Sequence, residues 1–403
     1  MVSFLSTLQE ATPDPFFVLN DLYSKDPKKE KVNLGIGIYR TEEGKTPLMS
    51  VFLDELVAFI ERARAGEINA GYLGIEGLAS FRAEVPRLVL SDESRALKEG
   101  RVQVIQSLGG TGGMFLGAKL LAQELSFKQV FVSDPTWSNH MNIFDRAGFQ
   151  ISTYPYRDIE TNELAFDRML SAIKEMPRGS VILFHPSCHN PTGIDPTEAQ
   201  WAEILDLVHK QELFPFFDCA YQGLGEGVEE DVFPIRAADS MGLEFLVAVS
   251  FSKNLSLYQQ RLGALMVVGN EKDALHNGVE VVKARVIRAS YSNPPALGAT
   301  GAAAIMSDEK KKQAWLLELK EIRDRLKEVR GKFVGALSKR GLASEHIAKQ
   351  KGMFSYTGLS KTQVLELRDK YSIYMTTDGR ANLAGLNNSN IDYVADAIFD
   401  CSK

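Results

Sequence analysis

The chain has 403 residues, of which 44% are hydrophobic and 24% charged, and its formal net charge is −6. This composition is typical of a soluble folded protein with about two domains, and it excludes extensive disorder. The negative net charge argues against a large positively charged surface that could bind nucleic acid. Three cysteines are too few for a disulfide framework, and the odd number favours a reducing compartment.

The first five residues, Met1 to Leu5, form neither a basic signal-peptide start nor an arginine-rich transit sequence. No apolar run approaches the roughly 20 residues that a membrane-spanning helix needs. The sequence therefore predicts a cytoplasmic protein.

The first 45 residues contain short elements separated by prolines and glycines. The stretch Val32–Arg40 is strand-like and carries Gly35 and Gly37. This pattern indicates either a close approach of the backbone to another group or a glycine-bearing edge strand. A helix is predicted at Val51–Arg64, and the glycine-rich loop that follows it carries one tyrosine, Tyr72.

From Val102 onward the chain alternates between predicted strands and helices. The strands are predicted at Val102–Gln106, Gln129–Ser133, Phe149–Tyr156, Val181–His185, Phe214–Asp218, Glu244–Phe251 and Leu262–Val268. Helices between them include Met114–Leu125 and Thr197–Lys210. This alternation predicts an α/β fold with a mostly parallel seven-stranded sheet covered on both faces by helices.

After residue 307 the pattern changes to one long amphipathic helix, near 307–340. Its apolar residues recur at alternating spacings of four and three and are expected to form a core-facing stripe. They are Trp315, Leu319, Ile322, Leu326, Val329, Phe333 and Leu337. The helix is predicted to join a large domain, 46–315, to a smaller α+β domain made of 1–45 and 316–403.

Lys253 follows the apolar run Phe245–Val249, which is predicted to be a buried parallel strand. Open α/β sheets bind ligands outside the carboxyl ends of their strands. A lysine in a dry pocket loses its proton readily, and the neutral amine can form a Schiff base with an aldehyde. Ser250, Ser252 and Arg261 flank this lysine and suit a phosphate. An aldehyde and a phosphate on one small molecule indicate pyridoxal phosphate.

The glycine-rich turn Gly109–Gly113 lies between a predicted strand and a helix, where backbone amides can cradle a phosphate. A dinucleotide-binding fingerprint requires a glycine where Phe115 stands. A Walker A loop requires a lysine directly after its second glycine, where Ala118 stands. The turn is therefore predicted to be an anion site of neither type.

Three further strand ends carry residues suited to a bound ring. Trp137 can stack on a planar ring, with core packing as the alternative. Cys188 and His189 offer metal-binding atoms, but they point opposite ways on an extended chain and no second pair follows, so no metal site is predicted. Asp218 is costly to bury unless it is paired, and a protonated ring nitrogen is such a partner.

Five segments together predict one cofactor site. Lys253 would bind the aldehyde, Asp218 the ring nitrogen and Trp137 the ring face, while Tyr221 and Asn190 would reach the ring oxygen. The phosphate would be bound by Gly110, Thr111, Ser250, Ser252 and Arg261.

Seven motifs, in order along the chain, carry a resemblance to a known family. They are Ser-Leu-Gly-Gly-Thr-Gly, Asp-Pro-Thr-Trp-x-Asn-His, His-Asn-Pro-Thr-Gly, Asp-Cys-Ala-Tyr-Gln-Gly, Ser-Phe-Ser-Lys-Asn, Tyr-Ser-Asn-Pro-Pro and Gly-Arg-x-Asn-x-x-Gly. From Val32 to Val394 the chain resembles the class I, fold-type I pyridoxal phosphate enzymes, and among them the aspartate aminotransferases. The resemblance implies reversible transfer of an amino group between L-aspartate and 2-oxoglutarate by a ping-pong mechanism.

The resemblance also implies roles for individual residues. Lys253 would be the Schiff-base lysine and proton shuttle, and it would act with Asp218, Tyr221 and Trp137. Arg380 would bind the substrate α-carboxylate. The distal carboxylate would be bound by Arg288 of the neighbouring subunit of a homodimer.

Further implied contacts involve both the cofactor and the substrate. Tyr72 would reach across the dimer to the cofactor phosphate, and His140 and His189 would support the ring-binding residues. Ile36 and Gly37 would lie on a segment that closes over the substrate. The implied substrate-binding set is Gly37, Trp137, Asn190, Arg288 and Arg380.

Some positions depart from the family pattern and leave the side-chain specificity open. Asn254-Leu255-Ser256 stands where Phe-Gly often follows the asparagine. Two alternatives therefore remain: an enzyme that also accepts aromatic amino acids, and an inactive aminotransferase fold kept as a binding module. The presence of every reacting group disfavours the second alternative.

Overall fold

The computed structural model describes Ser6, Leu8 and residues 15–403. Its strands are β1 (Val32–Asn33), β2 (Val102–Leu108), β3 (Gln129–Asp134), β4 (Gln150–Pro155), β5 (Val181–Phe184), β6 (Phe214–Cys219), β7 (Phe245–Ser250), β8 (Leu262–Val268), β9 (Phe354–Tyr356), β10 (Ile373–Tyr374) and β11 (Arg380–Asn382). The α-helices are α1 (Pro15–Lys25), α2 (Ser50–Arg64), α3 (Ala79–Leu90), α4 (Arg95–Lys98), α5 (Gly109–Lys119), α6 (Asn139–Ala147), α7 (Phe166–Lys174), α8 (Glu198–Lys210), α9 (Phe233–Ser240), α10 (Lys272–Val281), α11 (Arg288–Ser290), α12 (Leu297–Ser307), α13 (Glu309–Lys339), α14 (Glu345–Lys349), α15 (Lys361–Tyr371) and α16 (Ile391–Cys401). Short π-helical segments, Leu120–Glu124 and Val282–Ile287, continue α5 and α10, and 3₁₀ turns occur at Glu230–Val232 and Leu383–Gly385.

Seven strands form one sheet in the order β2-β8-β7-β6-β5-β3-β4. Neighbouring strands are parallel except that β8 runs antiparallel to both β2 and β7. Every residue of β7 is buried, as expected for a strand covered on both faces by helices. The predicted mostly parallel seven-stranded sheet is therefore confirmed.

Alternate residues along the central strands belong to different hydrophobic cores. Phe217 and Val247 pack into a core on one face, whereas Phe216 and Leu246 pack into a core on the other. This period of two is the geometry of a pleated strand with both faces covered. It explains why β6 and β7 read as continuous apolar runs and not as alternating ones.

The long helix α13 spans two cores. Trp315 and Leu326 are buried in a core against the seven-stranded sheet, whereas Val329 and Phe333 are buried in a third core that includes β1, β10 and α16. The indole N–H of Trp315 donates to the carbonyl oxygen of Asn254 at 2.6 Å. The helix is thereby fixed to the loop that carries Lys253.

Two predicted elements differ from the structure. The strand predicted at Val32–Arg40 ends after Asn33, because the Asn33 side chain accepts the Gly35 amide at 3.0 Å and turns the backbone out of the ladder. The helix predicted from Met114 begins five residues earlier, at Gly109. The sequence pattern did not indicate this start, because the first five residues of the helix include four glycines, which have low helix propensity. Among the described residues, no helix has the length and apolar character needed to cross a membrane.

Candidate active site

The functional side chains meet because several strands end at the same edge of the sheet. β5, β6 and β7 are parallel neighbours whose registers pair Phe184 with Phe217 and Cys219 with Val249. The residues that follow these strands therefore lie side by side. β2 also points toward this edge, since it and β7 are both antiparallel to β8.

Asp218 is the buried charge at the centre of this edge. Its Oδ2 lies 3.0 Å from Nε2 of His140, whose Nδ1 lies 2.9 Å from the Thr136 hydroxyl. Burial alone would raise the pKa of Asp218, but the His140 hydrogen bond and nearby positive charge bring it below its usual value. Asp218 is thus an ionised carboxylate in a low-dielectric position.

Two further buried histidines continue from His140: His185 packs against His140, and His189 packs against His185. Burial lowers the pKa of His185 to about 3, and it also holds the pKa of His189 well below its usual range. His189 is fixed by Ser133 and Thr192, at 2.8 Å from each hydroxyl. These imidazoles are therefore neutral supports and not charged groups.

A metal-binding arrangement needs separate consideration. Donor atoms of His140, His185 and Asp218 all lie within 4.8 Å of one another, and all three residues are buried. Two of these atoms are already joined by the Asp218–His140 hydrogen bond, so a cation would have to break it. A ligand that donates a ring N–H to Asp218 leaves the Asp218–His140 hydrogen bond intact and is therefore the better match to this pair.

Lys253 lies over the ring of Tyr221, with its Nζ 4.8 Å from the ring centroid. Burial lowers the pKa of Lys253 to about 8, with Asp218 raising it and Arg261 lowering it. About a tenth of this amine is neutral at pH 7, far more than for an ordinary lysine. The predicted nucleophile is therefore placed in an environment that favours its reactive form.

An anion cradle lies beside the lysine. A Cβ added to Gly109 would come within 2.6 Å of Arg261 Nη2, and one added to Gly110 within 3.0 Å of Ser250 Cβ. Arg261 Nη1 also lies 3.4 Å from the Ser252 hydroxyl. The start of α5, where Thr111 lies, thus faces two serines and a guanidinium across a gap that side chains on the glycines would fill.

A second arginine lies close to the same residues. Arg380 donates to the carbonyl of Gly35 at 2.8 Å and to Oδ1 of Asn190 at 3.4 Å. Asn190 in turn donates to the hydroxyl of Tyr221 at 3.2 Å. The Nε of Arg380 is buried with no acceptor among the described residues, so part of this guanidinium is free to bind an anion.

The remaining predicted residues fall into two groups. Trp137 packs edge-on against His140, 5.2 Å between ring centroids, and Gly37 lies against the Phe354 ring. Tyr72, by contrast, is 97% exposed, and Arg288 is exposed and donates to the Ser292 hydroxyl. Neither residue of this second group has a hydrogen bond or ion pair with the Lys253 cluster in the described part of the chain.

The site also contains residues that the sequence did not single out. Phe354 lies beneath Arg380, 4.6 Å from guanidinium carbon to ring centroid, and it also packs edge-on against Tyr221. Tyr156 stacks on His189 at 3.8 Å. His185 closes the predicted strand Val181–His185, so its strand-end position was a usable signal. Tyr156 closes the predicted strand Phe149–Tyr156 and had the same signal, whereas Phe354 had none, since its contacts are with distant segments.

Comparison with known proteins identifies the family. The family described as aminotransferase class I and II matches residues 29–398. The aromatic-amino-acid aminotransferase of Escherichia coli K12 is 41% identical over 388 residues, which cover 95% of this chain and 96% of that protein. The aspartate aminotransferase of the same organism is 39% identical over 390 residues, covering 96% and 97%.

A solved structure gives the same result at the level of the fold. It is an aromatic-amino-acid aminotransferase from Burkholderia pseudomallei covalently bound to pyridoxal phosphate. It is 40% identical, covers 100% of both chains and has a TM-score of 0.95. The predicted aminotransferase fold is confirmed, and the chain belongs to the class I and II aminotransferases.

Proposed function

We propose that the protein transfers the amino group reversibly between L-aspartate and 2-oxoglutarate, giving oxaloacetate and L-glutamate. The observation that carries this proposal is the position of Arg380, a guanidinium with an unused buried Nε, next to the cluster of Lys253, Asp218 and Tyr221. A guanidinium is suited to hold a carboxylate in a fixed orientation. The relatives named aspartate aminotransferase support the same substrate.

The residues present fit pyridoxal phosphate, the cofactor of this family. The ionised Asp218 suits a ring N–H, and the cradle of Gly109, Gly110 and Arg261 suits a phosphate because added side chains would fill it. Thr111, Ser250 and Ser252 would complete the phosphate site. When bound, the cofactor supplies a carbonyl for the amino group and an electron-withdrawing ring that stabilises negative charge at the substrate α-carbon.

The catalytic residues have separate tasks in this proposal. Lys253 Nζ is partly neutral near pH 8. It takes the proton from the substrate α-carbon and gives the proton back to complete the transfer of the amino group. Asp218 keeps the ring nitrogen protonated, and His140 holds Asp218 in place. Tyr221 and Asn190 bind the ring hydroxyl, while Trp137 covers the ring face and excludes water.

Substrate orientation would depend on two arginines. Arg380 binds the α-carboxylate, and Arg288 of the partner subunit binds the distal carboxylate. Gly37, packed on Phe354, brings the segment that includes Ile36 over the substrate. In this scheme residues 1–45 and 316–403 act as a small domain, with α13 as its link to the large domain 46–315.

A homodimer is supported by an exposed apolar stripe on α2, the helix that precedes the loop with Tyr72. On α2, Leu53, Val57 and Ile60 are 45%, 55% and 51% exposed and share one helix face by their spacing. A stripe of this kind is typical of an interface. Tyr72, in the loop after α2, would then reach the cofactor phosphate of the partner. The cytoplasmic location stays a prediction from the sequence.

Broad specificity is a second candidate. It is favoured by the relatives named aromatic-amino-acid aminotransferases and by the exposure of Arg288, whose side chain has one hydrogen-bond partner in the described part of the chain, Ser292. A side chain held so lightly can move aside for an aromatic ring.

The two candidates differ in measured substrate preference. For the aspartate enzyme, kcat/KM is expected to be at least about a hundredfold higher with L-aspartate than with L-phenylalanine, because only aspartate pairs the second guanidinium. The visible band of the bound cofactor should be lost on adding L-aspartate and restored by 2-oxoglutarate. Values of kcat/KM within about tenfold would establish the broad-specificity enzyme instead. Retention of the band with both amino acids would contradict an aminotransferase acting on either.

Mixing two inactive variants tests whether Arg288 acts across the dimer. Lys253→Ala and Arg288→Ala subunits are unfolded and refolded together in equal amounts. Half of the dimers are then hybrids, each with one intact site, so activity should return to about a quarter of wild type. Each variant refolded alone is the control. If Arg288 served its own subunit, no intact site could form and the mixture would stay as inactive as its components.

The pKa of Lys253 predicts how the apo protein takes up its cofactor. The rate of reconstitution, followed by absorbance, should rise with pH through a midpoint near 8, because only the neutral amine reacts. An ordinary lysine would keep increasing the rate to about pH 10. In Asp218→Asn the midpoint should fall, since Asp218 raises the pKa of Lys253. An unchanged midpoint in this variant would contradict the electrostatic coupling.

A further inference from the structure

A second cationic site lies apart from the cofactor cradle. A cavity of about 320 Å³ opens between the loop after β6, the middle of α13 and the segment that joins α14 to β9. We name it the α13 cleft. Its charged lining residues are Glu226, Lys327, Arg330, Lys349 and Lys351.

Arg330 provides a buried positive charge in this cleft. It is 4% exposed, and no carboxylate lies within 4.0 Å of it in the described part of the chain. Its Nη2 donates to the carbonyls of Gly352 at 2.7 Å and Phe354 at 3.3 Å, while its buried Nε has no acceptor among the described residues. Burial lowers its pKa to about 10, so it is charged at neutral pH. A buried guanidinium without a paired anion is unfavourable.

The rim of the cleft is also dominated by cations. Of the residues that the structure describes, Glu226 alone lines the cleft with a carboxylate, and it lies 2.6 Å from Lys327 Nζ and 3.3 Å from Lys351 Nζ. Lys349 pairs with Glu163, which is not a lining residue. Four cations therefore face one anion, and that anion is shared between two lysines.

Neighbouring acids do not neutralise the excess. Asp231 accepts the backbone N–H groups of Gly223 and Gly225, and Asp195 accepts those of Cys188 and His189. Asp195 raises the pKa of Arg330 and Lys351 through charge alone, without an ion-pair contact to either in the described part of the chain. The oxygens of both carboxylates are committed to the backbone.

We propose that the α13 cleft binds a small phosphorylated anion, with Arg330 at its base and Lys327 and Lys351 at its rim. A phosphate fits better than a carboxylate. A carboxylate binds best to the two parallel N–H groups of a planar guanidinium, but Arg330 Nη2 already donates to the Gly352 and Phe354 carbonyls. Lysines, by contrast, bind phosphate as point charges from several directions. The site goes beyond the proposed aminotransferase reaction and shares no residue with it.

The cleft is connected to the active-site loop through the backbone. The amide of Lys351 donates to the carbonyl of Gly193 at 2.6 Å, three residues after Asn190. Phe354, whose carbonyl accepts from Arg330, packs on Tyr221. An anion bound in the cleft would therefore contact the segment from Lys351 to Phe354, which packs against the active-site residues.

The test is calorimetric titration of the holoenzyme with inorganic pyrophosphate at an ionic strength of about 0.15 M, where non-specific attraction is screened. Bound cofactor already fills the phosphate cradle near Arg261. Lys327→Gln and Lys351→Gln should each weaken binding about tenfold. Glu226→Gln should tighten it several-fold, because the competing carboxylate is removed. Lys320→Gln, an exposed α13 lysine paired with Asp324, is the matched control and should bind as wild type does.

The Glu226 variant is expected to increase the affinity for pyrophosphate, whereas the lysine variants are expected to decrease it, so together they decide the test. Binding that is tightened by Glu226→Gln, weakened by Lys327→Gln and unaffected by saturating L-aspartate would support the α13 cleft. Absence of binding in both wild type and Glu226→Gln would overturn the proposal. Equal affinity in all variants, or displacement by L-aspartate, would also overturn it by placing the anion elsewhere. Because the readout is binding and not turnover, this outcome is independent of which amino acid the enzyme uses.

Discussion

Replacing Lys253 by alanine is expected to lower kcat for L-aspartate and 2-oxoglutarate by about 10³- to 10⁴-fold. The change removes the amine that moves the proton at the substrate α-carbon, and general acid–base groups contribute factors of this size. No neighbouring group replaces it, since Asp218 is tied to His140 and burial raises the pKa of Tyr221 far above neutrality. Stopped-flow absorbance of the holoenzyme measures the loss directly.

Two comparisons separate this loss from misfolding. Lys210→Ala removes an exposed lysine of α8 that pairs with Asp206, and it should keep activity within about twofold of wild type. The melting temperature of Lys253→Ala should stay near that of wild type, because a partly buried lysine of lowered pKa is not a stabilising charge. Activity of Lys253→Ala within about tenfold of wild type would contradict its proposed role.

Replacing Arg380 by alanine is expected to lower kcat/KM for L-aspartate by about three orders of magnitude. The guanidinium would otherwise pair with the α-carboxylate in a site where burial already lowers its pKa, and truncating one partner of such a pair costs about 2–5 kcal/mol. Arg380→Lys retains the charge but loses the planar fork, so an intermediate loss of about a hundredfold is expected.

A substrate without the α-carboxylate provides the control for Arg380. β-Alanine lacks this group, so its slow turnover should be nearly equal in wild type and Arg380→Ala. Arg368→Ala removes a half-buried arginine of α15 that pairs with Asp369, and it should change neither substrate's kinetics. An equal loss for L-aspartate and β-alanine would show instead that Arg380 acts by supporting Asn190 and Gly35.

The central sheet and the residues at its edge could be predicted because their signals are local. Buried parallel strands read as apolar runs, and their carboxyl ends share one edge for geometric reasons. This is why Lys253, Asp218 and Asn190 could be grouped from sequence alone. The strand Val32–Arg40 was wrong beyond Asn33, because a side-chain contact to the Gly35 amide overrides the strand-like composition.

Other parts of the site depend on contacts that sequence patterns do not encode. Phe354 supports Arg380 and Tyr221 from a segment far away in the chain. His185 ends a predicted strand, but its packing against His140 joins two segments that no local pattern connects. The roles of Tyr72 and Arg288 came only from the family resemblance, and they concern a partner subunit.

The reversed strand β8 has a consequence for how the protein is synthesised. β2 is an edge strand that pairs along its whole length with β8 alone, and β8 is the last strand of this sheet to be translated. Until then the nascent chain carries an unpaired apolar strand, which is a template for aggregation. Gly109 also meets Arg261 only when β8 is in place. Neither a complete sheet nor a bound cofactor can therefore protect the growing chain before β8 has left the ribosome.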